Sequence, residues 1–215
     1  MNHNMLFLDF AMLGYYPEDC ALLDCSVAVV NTEKMLSNNP YSSMDAFKEV
    51  KRFKLDVVSQ KEMGFIVYED GLEFWKTQPK ELIKRVLKPS SEKDMTVDVF
   101  TTAFIENLIS KGKVNTWWSW NSMDDAAILW RLFRSVNKEN MIREYLPRYQ
   151  ARDVATFIDA KFDLDNKNVD FVPIDDVEYW NKIYLKTDSS MDVMANIMRM
   201  QAILRAEIEL EMVKR

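Results

Sequence analysis

Histidine is all but missing from this chain: the sequence holds one, His3, among 215 residues. That shortage excludes more chemistry than any residue present. A Cys/His zinc site lacks ligands, because Cys20 and Cys25 are the only cysteines. A Ser-His-Asp or Cys-His engine has no histidine except the one beside the N-terminus. Glycine is scarce at 4 and proline modest at 6, so flexible linkers and low-complexity tails are not expected. There is no GxGxxG, no Walker lysine motif and no repeat of fixed period. No Lys or Arg precedes Lys34, and Asp9 and Asp24 interrupt the early apolar runs, so the start does not read as a secretion signal. No stretch approaches the ~18 uninterrupted apolar residues of a membrane span. With too few cysteines for a disulfide framework, a reducing, cytoplasmic location and no membrane partner are expected. The net charge of -6 speaks against bulk attraction to a polyphosphate. A local basic patch or bound cations can still supply a positive field.

The composition, 48% hydrophobic and 29% charged, suits one soluble globular domain over residues 1–215. "LFLDF" (Leu6–Phe10) reads as a buried strand and "CALLDCSVAVV" (Cys20–Val30) as a second, joined through the turn-forming "GYYPED". "FKLDVV" (Phe53–Val58) alternates and reads as a third strand. Helices are expected over Gly71–Trp75, Pro79–Leu87, Thr96–Gly112 and Asp124–Val136, with Gly112 ending the third of these. "VNTWWSW" (Val114–Trp120) and a short segment at Tyr149–Ala151 are strand candidates, the latter before a helix that Asp153 can cap. From Asp188 onward runs a long helix with Met194, Ile197, Met198, Gln201, Leu204 and Ile208 on one stripe. The sum is an α/β domain with a mixed sheet and flanking helices.

Three acids stand out by position. Asp9 lies in a core-type strand, where an unpaired charge is costly. Asp125, beside Asp124, opens a helix just after a strand. Asp192 lies near the start of the last helix. Strand interior, strand-to-helix turn and helix start can converge at one end of a sheet. Three such anions repel unless protons or divalent cations neutralise them, and carboxylate oxygens suit Mg²⁺ or Mn²⁺. Taken singly, Asp124 is better read as a helix cap and Asp192 as a solvated acid. The tryptophans of "WWSW" and the "FW" pair read first as core.

These pieces, in order, resemble the DEDD (DEDDh) 3′–5′ exonuclease superfamily, and most closely its phage DexA-type members. That family carries Asp-x-Glu in the first strand; here the window is Asp9-Phe10-Ala11. Its "EWWKNQSP" segment is similar to "EFWKTQPKE" (Glu73–Glu81). Its Phe-Asp before a helix ending Ile-Leu is similar to "WSWNSMDDAAIL", with Asp125 at the acid. Its Arg-Asp pair opening a helix is Arg152-Asp153 here. Its His-Asp-x-x-x-Asp is similar to "TDSSMD", with Thr187 at the histidine position, then Asp188 and Asp192. The resemblance implies an RNase H-like fold: three antiparallel strands, then parallel strands, flanking helices and a long C-terminal helix.

It also implies roles. Asp9, Ala11 and Asp192 stand where the family holds the metal carrying the attacking water, and Asp125 where an acid supports a second metal. Ala11 lacks the carboxylate and Thr187 lacks the titratable ring. A threonine hydroxyl does not titrate near neutrality, and losing an essential base costs ~10²–10⁴-fold in rate. The sources of Ala11 are natural loss or an engineered knockout, and the further departures at Thr187 and Met12 favour natural loss. The expected function is therefore a catalytically impaired exonuclease-fold protein that binds single-stranded nucleic acid or a host protein, with weakened Mg²⁺ or Mn²⁺ binding. The alternative is an active metal-dependent 3′–5′ exonuclease in which Asp188 or hydroxide replaces the missing base. Two basic clusters are candidates for nucleic acid: Lys48, Lys51, Arg52 and Lys54, and Lys80, Lys84, Arg85 and Lys88. Met191, Met194, Met198, Met200 and Met212 are candidates for an adaptable protein-binding face, against the plainer reading of core packing.

Overall fold

The computed structural model describes residues 3–88, 94–162, 180, 185 and 187–213. Strands β1 (Asn4–Met12) and β2 (Leu22–Asn31) form an antiparallel pair. Helices α1 (Thr32–Leu36) and α2 (Ser43–Glu49) lead to β3 (Lys51–Lys54), which pairs antiparallel with β2. Helices α3 (Val57–Glu62), α4 (Glu69–Thr77), α5 (Lys80–Val86) and α6 (Val97–Lys111) follow. Then come β4 (Val114–Ser119), α7 (Ser122–Ser135), α8 (Glu139–Tyr145), β5 (Ala151–Asp153), α9 (Val154–Phe162) and α10 (Ser189–Val213). The sheet order is β3-β2-β1-β4-β5. β4 runs parallel to β1, and β5 parallel to β4. This is the expected mixed sheet: three antiparallel strands, then parallel ones.

Alternation along β1 divides the molecule into two cores. Leu6, Leu8 and Phe10 face a layer that includes Phe100 and Phe104 of α6 and Leu129 and Phe133 of α7. Met5 and Phe7 face the other way, with Ala28 and Val30 of β2, against α10. Period-two alternation puts Asp9 on this second side. There Asp9 pairs across the ladder with Ser26, and Ala11 with Asp24. The β1–β2 register shifts between Ala11 and Met12, a bulge that re-aims side chains at the strand's end.

Several boundaries differ from expectation for local reasons. The third strand stops at Lys54 rather than Val58, because Asp56 Oδ1 accepts the Val58 N–H at 2.9 Å and caps α3. Gln150 belongs to a 3₁₀ turn, which pushes the last strand to Ala151–Asp153. Helices α1, α2 and α8 carry too few apolar positions to register as periodic. Their caps are legible only afterwards: Ser42 and Asp45 form a reciprocal capping box on α2. Thr96 caps α6 and Gly112, at φ 85°, ends it as expected.

The largest correction concerns α10. From Ser189 to Gln201 every residue but Asp192 is buried, polar ones included. The helix is not a surface element with one apolar stripe. It runs through the middle of a layer, against β1, β2, α1, α2 and α9. Its buried polar groups are satisfied internally: Gln201 takes the Tyr41 N–H at 3.0 Å and returns a bond to Tyr41 O at 2.8 Å. Met191, Met194, Met198 and Met200 are therefore core, and the methionine binding face does not exist there. The Met212 side chain lies outside the described residues. Trp75, Trp117 and Trp118 are also core, as the plainer reading held. No helix among the described residues is long and apolar enough to cross a membrane.

Candidate functional site

The site lies where β1 ends its α10-facing row and the first turn of α10 arrives. Asp9 is half-buried. Burial pushes its carboxyl well above the usual range, and the charges of Asp192, Asp125 and Asp24 push it further, in that order. The fold thus brings three acids from distant parts of the chain into one field around Asp9. Asp125, on the first turn of α7, is buried, and that burial raises it to about 7. The Ser119 hydroxyl opposes the rise, while the neighbouring Asp124 and Asp153 add to it. Asp124 is not the cap expected of it: Asn121 is the N-cap residue of α7, Asp124 accepts only from the Asn121 side chain at 2.5 Å, and the Ser122 N–H goes to Asp153. Asp153 caps two helices, accepting the Thr156 N–H at 2.7 Å and the Ser122 N–H at 2.9 Å.

The remaining positions of the pattern have other partners. Ala11 is buried and offers no oxygen. Thr187 has a left-handed backbone, φ 78°, unusual for a β-branched residue. Its N–H donates to Asp192 Oδ2 at 3.0 Å. Asp188 is the cap of α10: its Oδ1 accepts the Ser190 N–H at 3.0 Å and its carbonyl accepts the Asp192 N–H at 2.9 Å. It is fully buried and faces two guanidinium groups, Arg85 at 3.2 Å and Arg52 at 3.5 Å. A carboxylate held by a helix end and two cations is poorly placed to take a proton from water.

Residue types alone gave no reason to single out Asp24 or the serines beside it. Asp24 is fully buried and binds Arg52 through two nitrogens, at 2.6 and 2.9 Å. The Ser189 hydroxyl donates to its other oxygen at 2.5 Å. Ser26, opposite Asp9, bonds Ser189 at 2.7 Å and Ser190 at 2.9 Å. The cross-strand register of β1, β2 and β3 produces this grouping, and the sequence does not display register. Of the basic candidates, Arg52 and Arg85 are engaged by these acids, Lys54 Nζ donates to Val86 O, and Lys51 lies over the Phe53 ring. Lys80, Lys84 and Lys88 remain on the surface.

The oxygen donors suit a hard cation such as Mg²⁺ or Mn²⁺. Their number and spacing fall short. Among the described residues no three acidic, histidine or cysteine side chains are placed to hold a metal ion together. Position 11 supplies none, and Arg52 and Arg85 occupy Asp24 and Asp188.

The fold is the RNase H-like architecture of exonucleases. E. coli exonuclease I in complex with a dT13 oligonucleotide superposes with a TM-score of 0.61 at 13% identity, over 97% of this chain and 42% of that one. Exonuclease I in complex with the inhibitor BCBP gives 0.61 at 13% identity, over 98% and 43%. Its product-bound structure gives 0.55 at 13% identity, over 97% and 45%. This chain thus spans less than half the length of those enzymes. No family model matches the chain, and no curated protein is significantly similar in sequence.

Proposed function

We propose that this chain is one exonuclease-fold unit over residues 1–215, of the phage DexA-like kind, that has lost efficient 3′–5′ hydrolysis and acts by binding. The partner is single-stranded nucleic acid, as held by the exonuclease I structures it is similar to, or a protein of the host cytoplasm. Asp9, Asp125 and Asp192 are the remnants of the ligand set, Ala11 the lost ligand and Thr187 the lost base. Affinity for Mg²⁺ or Mn²⁺ is weakened accordingly. The observation carrying this reading is the state of the two altered positions. Ala11 presents a methyl group, and Thr187 presents its backbone N–H to Asp192. The nearest substitute base, Asp188, is a buried cap facing Arg52 and Arg85.

Digestion of an end-labelled single-stranded oligonucleotide tests it. The native chain is expected to leave the label in full-length product with either ion at high protein concentration. The double variant Ala11→Glu, Thr187→His is expected to shorten it. Stepwise shortening by the native chain, fastest with Mn²⁺ and at raised pH, would instead establish the working-enzyme reading.

A further inference from the structure

Asp24 stands directly across the ladder from Ala11, and its bond with Ser189 sets it on the side facing α10. Side chains directly opposite on paired strands lie ~4.5–5.5 Å apart at Cβ. Asp24 is therefore the carboxylate placed to make up for the one that position 11 lacks. Both its oxygens are committed. Oδ2 accepts from Arg52 Nη2 at 2.6 Å and Nε at 2.9 Å, and Oδ1 from the Ser189 hydroxyl at 2.5 Å. Asp188 stands one helical turn before Asp192 and accepts its N–H through the backbone carbonyl. The carboxylate oxygens of Asp188 are committed too. Oδ1 accepts the Ser190 N–H at 3.0 Å and faces Arg52 Nη1 at 3.5 Å, and Oδ2 accepts from Arg85 Nη1 at 3.2 Å. Arg52 thus spans from the β2 acid opposite Ala11 to the α10 acid next to Thr187.

We propose that the Arg52 guanidinium is the resident cation of this site, standing in for a divalent ion and keeping one out. The inference rests on the reading of Ala11 as a lost ligand, and it names what compensates the loss. Mg²⁺ demands oxygen ligands at ~2.0–2.1 Å in near-octahedral order, and Arg52 and Arg85 already take those of Asp24 and Asp188. Charge balances within the group, where two carboxylates face two guanidinium groups. A guanidinium stays protonated at any ordinary pH, and its planar fork suits carboxylates in buried pairs. Being part of the chain, it is not diluted away and no chelator removes it. Arg52 comes from β3, where it lies opposite Ser26, the same residue that lies opposite Asp9 on the other side of β2. Its side chain is 19% exposed while both acids are fully buried. The space it fills therefore opens to solvent, and a hydrated ion reaches the acids once the guanidinium is gone.

Thermal unfolding in EDTA and in rising Mn²⁺, with no nucleic acid present, tests the assignment. The native chain is expected to keep the same Tm in both. Arg52→Ala frees oxygens of both acids and leaves room for an ion. It is expected to melt lower in EDTA and to recover roughly 3–6 °C at a tenfold excess of Mn²⁺ over its dissociation constant. Arg52→Lys keeps a cation there and is expected to stay indifferent to Mn²⁺. Should Arg52→Ala not fold, Arg85→Ala, at a side chain 38% exposed, takes its place, with a smaller recovery in the same direction. Three results overturn the proposal: Mn²⁺ raising the native Tm as far as that of the alanine variant, an alanine variant unmoved by Mn²⁺, or Arg52→Lys responding to Mn²⁺ as the alanine variant does. Failure of the underlying reading is seen separately, as shortening of the end-labelled oligonucleotide by the native chain.

Discussion

Replacing Arg52 with methionine removes the cation that ties β3, β2 and the start of α10 together. Arg52 is 19% exposed at its side chain, while Asp24 and Asp188 are fully buried. Taking one partner from a buried ion pair typically costs ~3–5 kcal/mol, because the other charge is left uncompensated. Here Asp24 keeps the Ser189 hydroxyl and Asp188 keeps Arg85, so the expected loss is at the lower end, ~3 kcal/mol. At ~2–4 °C per kcal/mol for a chain of this size, Tm should fall by ~6–12 °C. Urea unfolding followed by tryptophan fluorescence reads this directly, since Trp75 and Trp117 are buried. The paired change Arg52→Met, Asp24→Asn should recover part of the loss. Burial raises the Asp24 carboxyl even against the pull of Arg52 and Ser189, so an uncharged pair escapes a desolvation cost that the native pair bears. A single variant within ~0.5 kcal/mol of the parent, the range of an inert surface change, would refute the argument. So would a double variant no more stable than Arg52→Met.

Three further outcomes are expected. Asp125 has a folded pKa of about 7, above its unfolded value, so the folded state holds the proton more tightly; its contribution is fully present below about pH 4 and is lost as pH rises through 7. Asp125→Asn should therefore flatten the decline in stability between pH 5 and 8, by ~1–3 kcal/mol, and an unchanged slope in urea titrations at those pH values would count against the raised pKa. Thr187→Asn should raise stability by ~1 kcal/mol, since asparagine tolerates the left-handed backbone held at φ 78°; a lower Tm for that variant would show that the threonine side chain contributes more than the backbone strain costs. Gly71→Ala should destabilise by ~1–3 kcal/mol, the usual range for overpacking, because its Cβ would meet Leu13 and Gly14 backbone at 2.3–2.6 Å; a neutral thermal scan would mean that α4 can slide away from β1.

The amino-acid order by itself determined the fold class and the larger elements in their order, but not the short helices α1, α2, α3 and α8. The apolar run around Asp9, the cap-to-glycine interval from Thr96 to Gly112 and the unbroken helix after Asp188 are local signals, written in neighbouring residues. It also carries the two positions, Ala11 and Thr187, that the proposed function reads as altered, because identity at a position needs no coordinates. Tertiary structure decided what surrounds them. That Asp24 sits opposite Ala11 follows from strand register, and that Arg52 and Arg85 reach it and Asp188 follows from how β3 and α5 pack. Whether α10 shows one apolar stripe or, from Ser189 to Gln201, is buried almost all round depends on how many neighbours enclose it. Periodicity reports one buried face and says nothing when every face is covered. Asp188 looked like a spare base in the sequence and became a cap between two guanidinium groups, because long-range contacts set the partners of a buried charge.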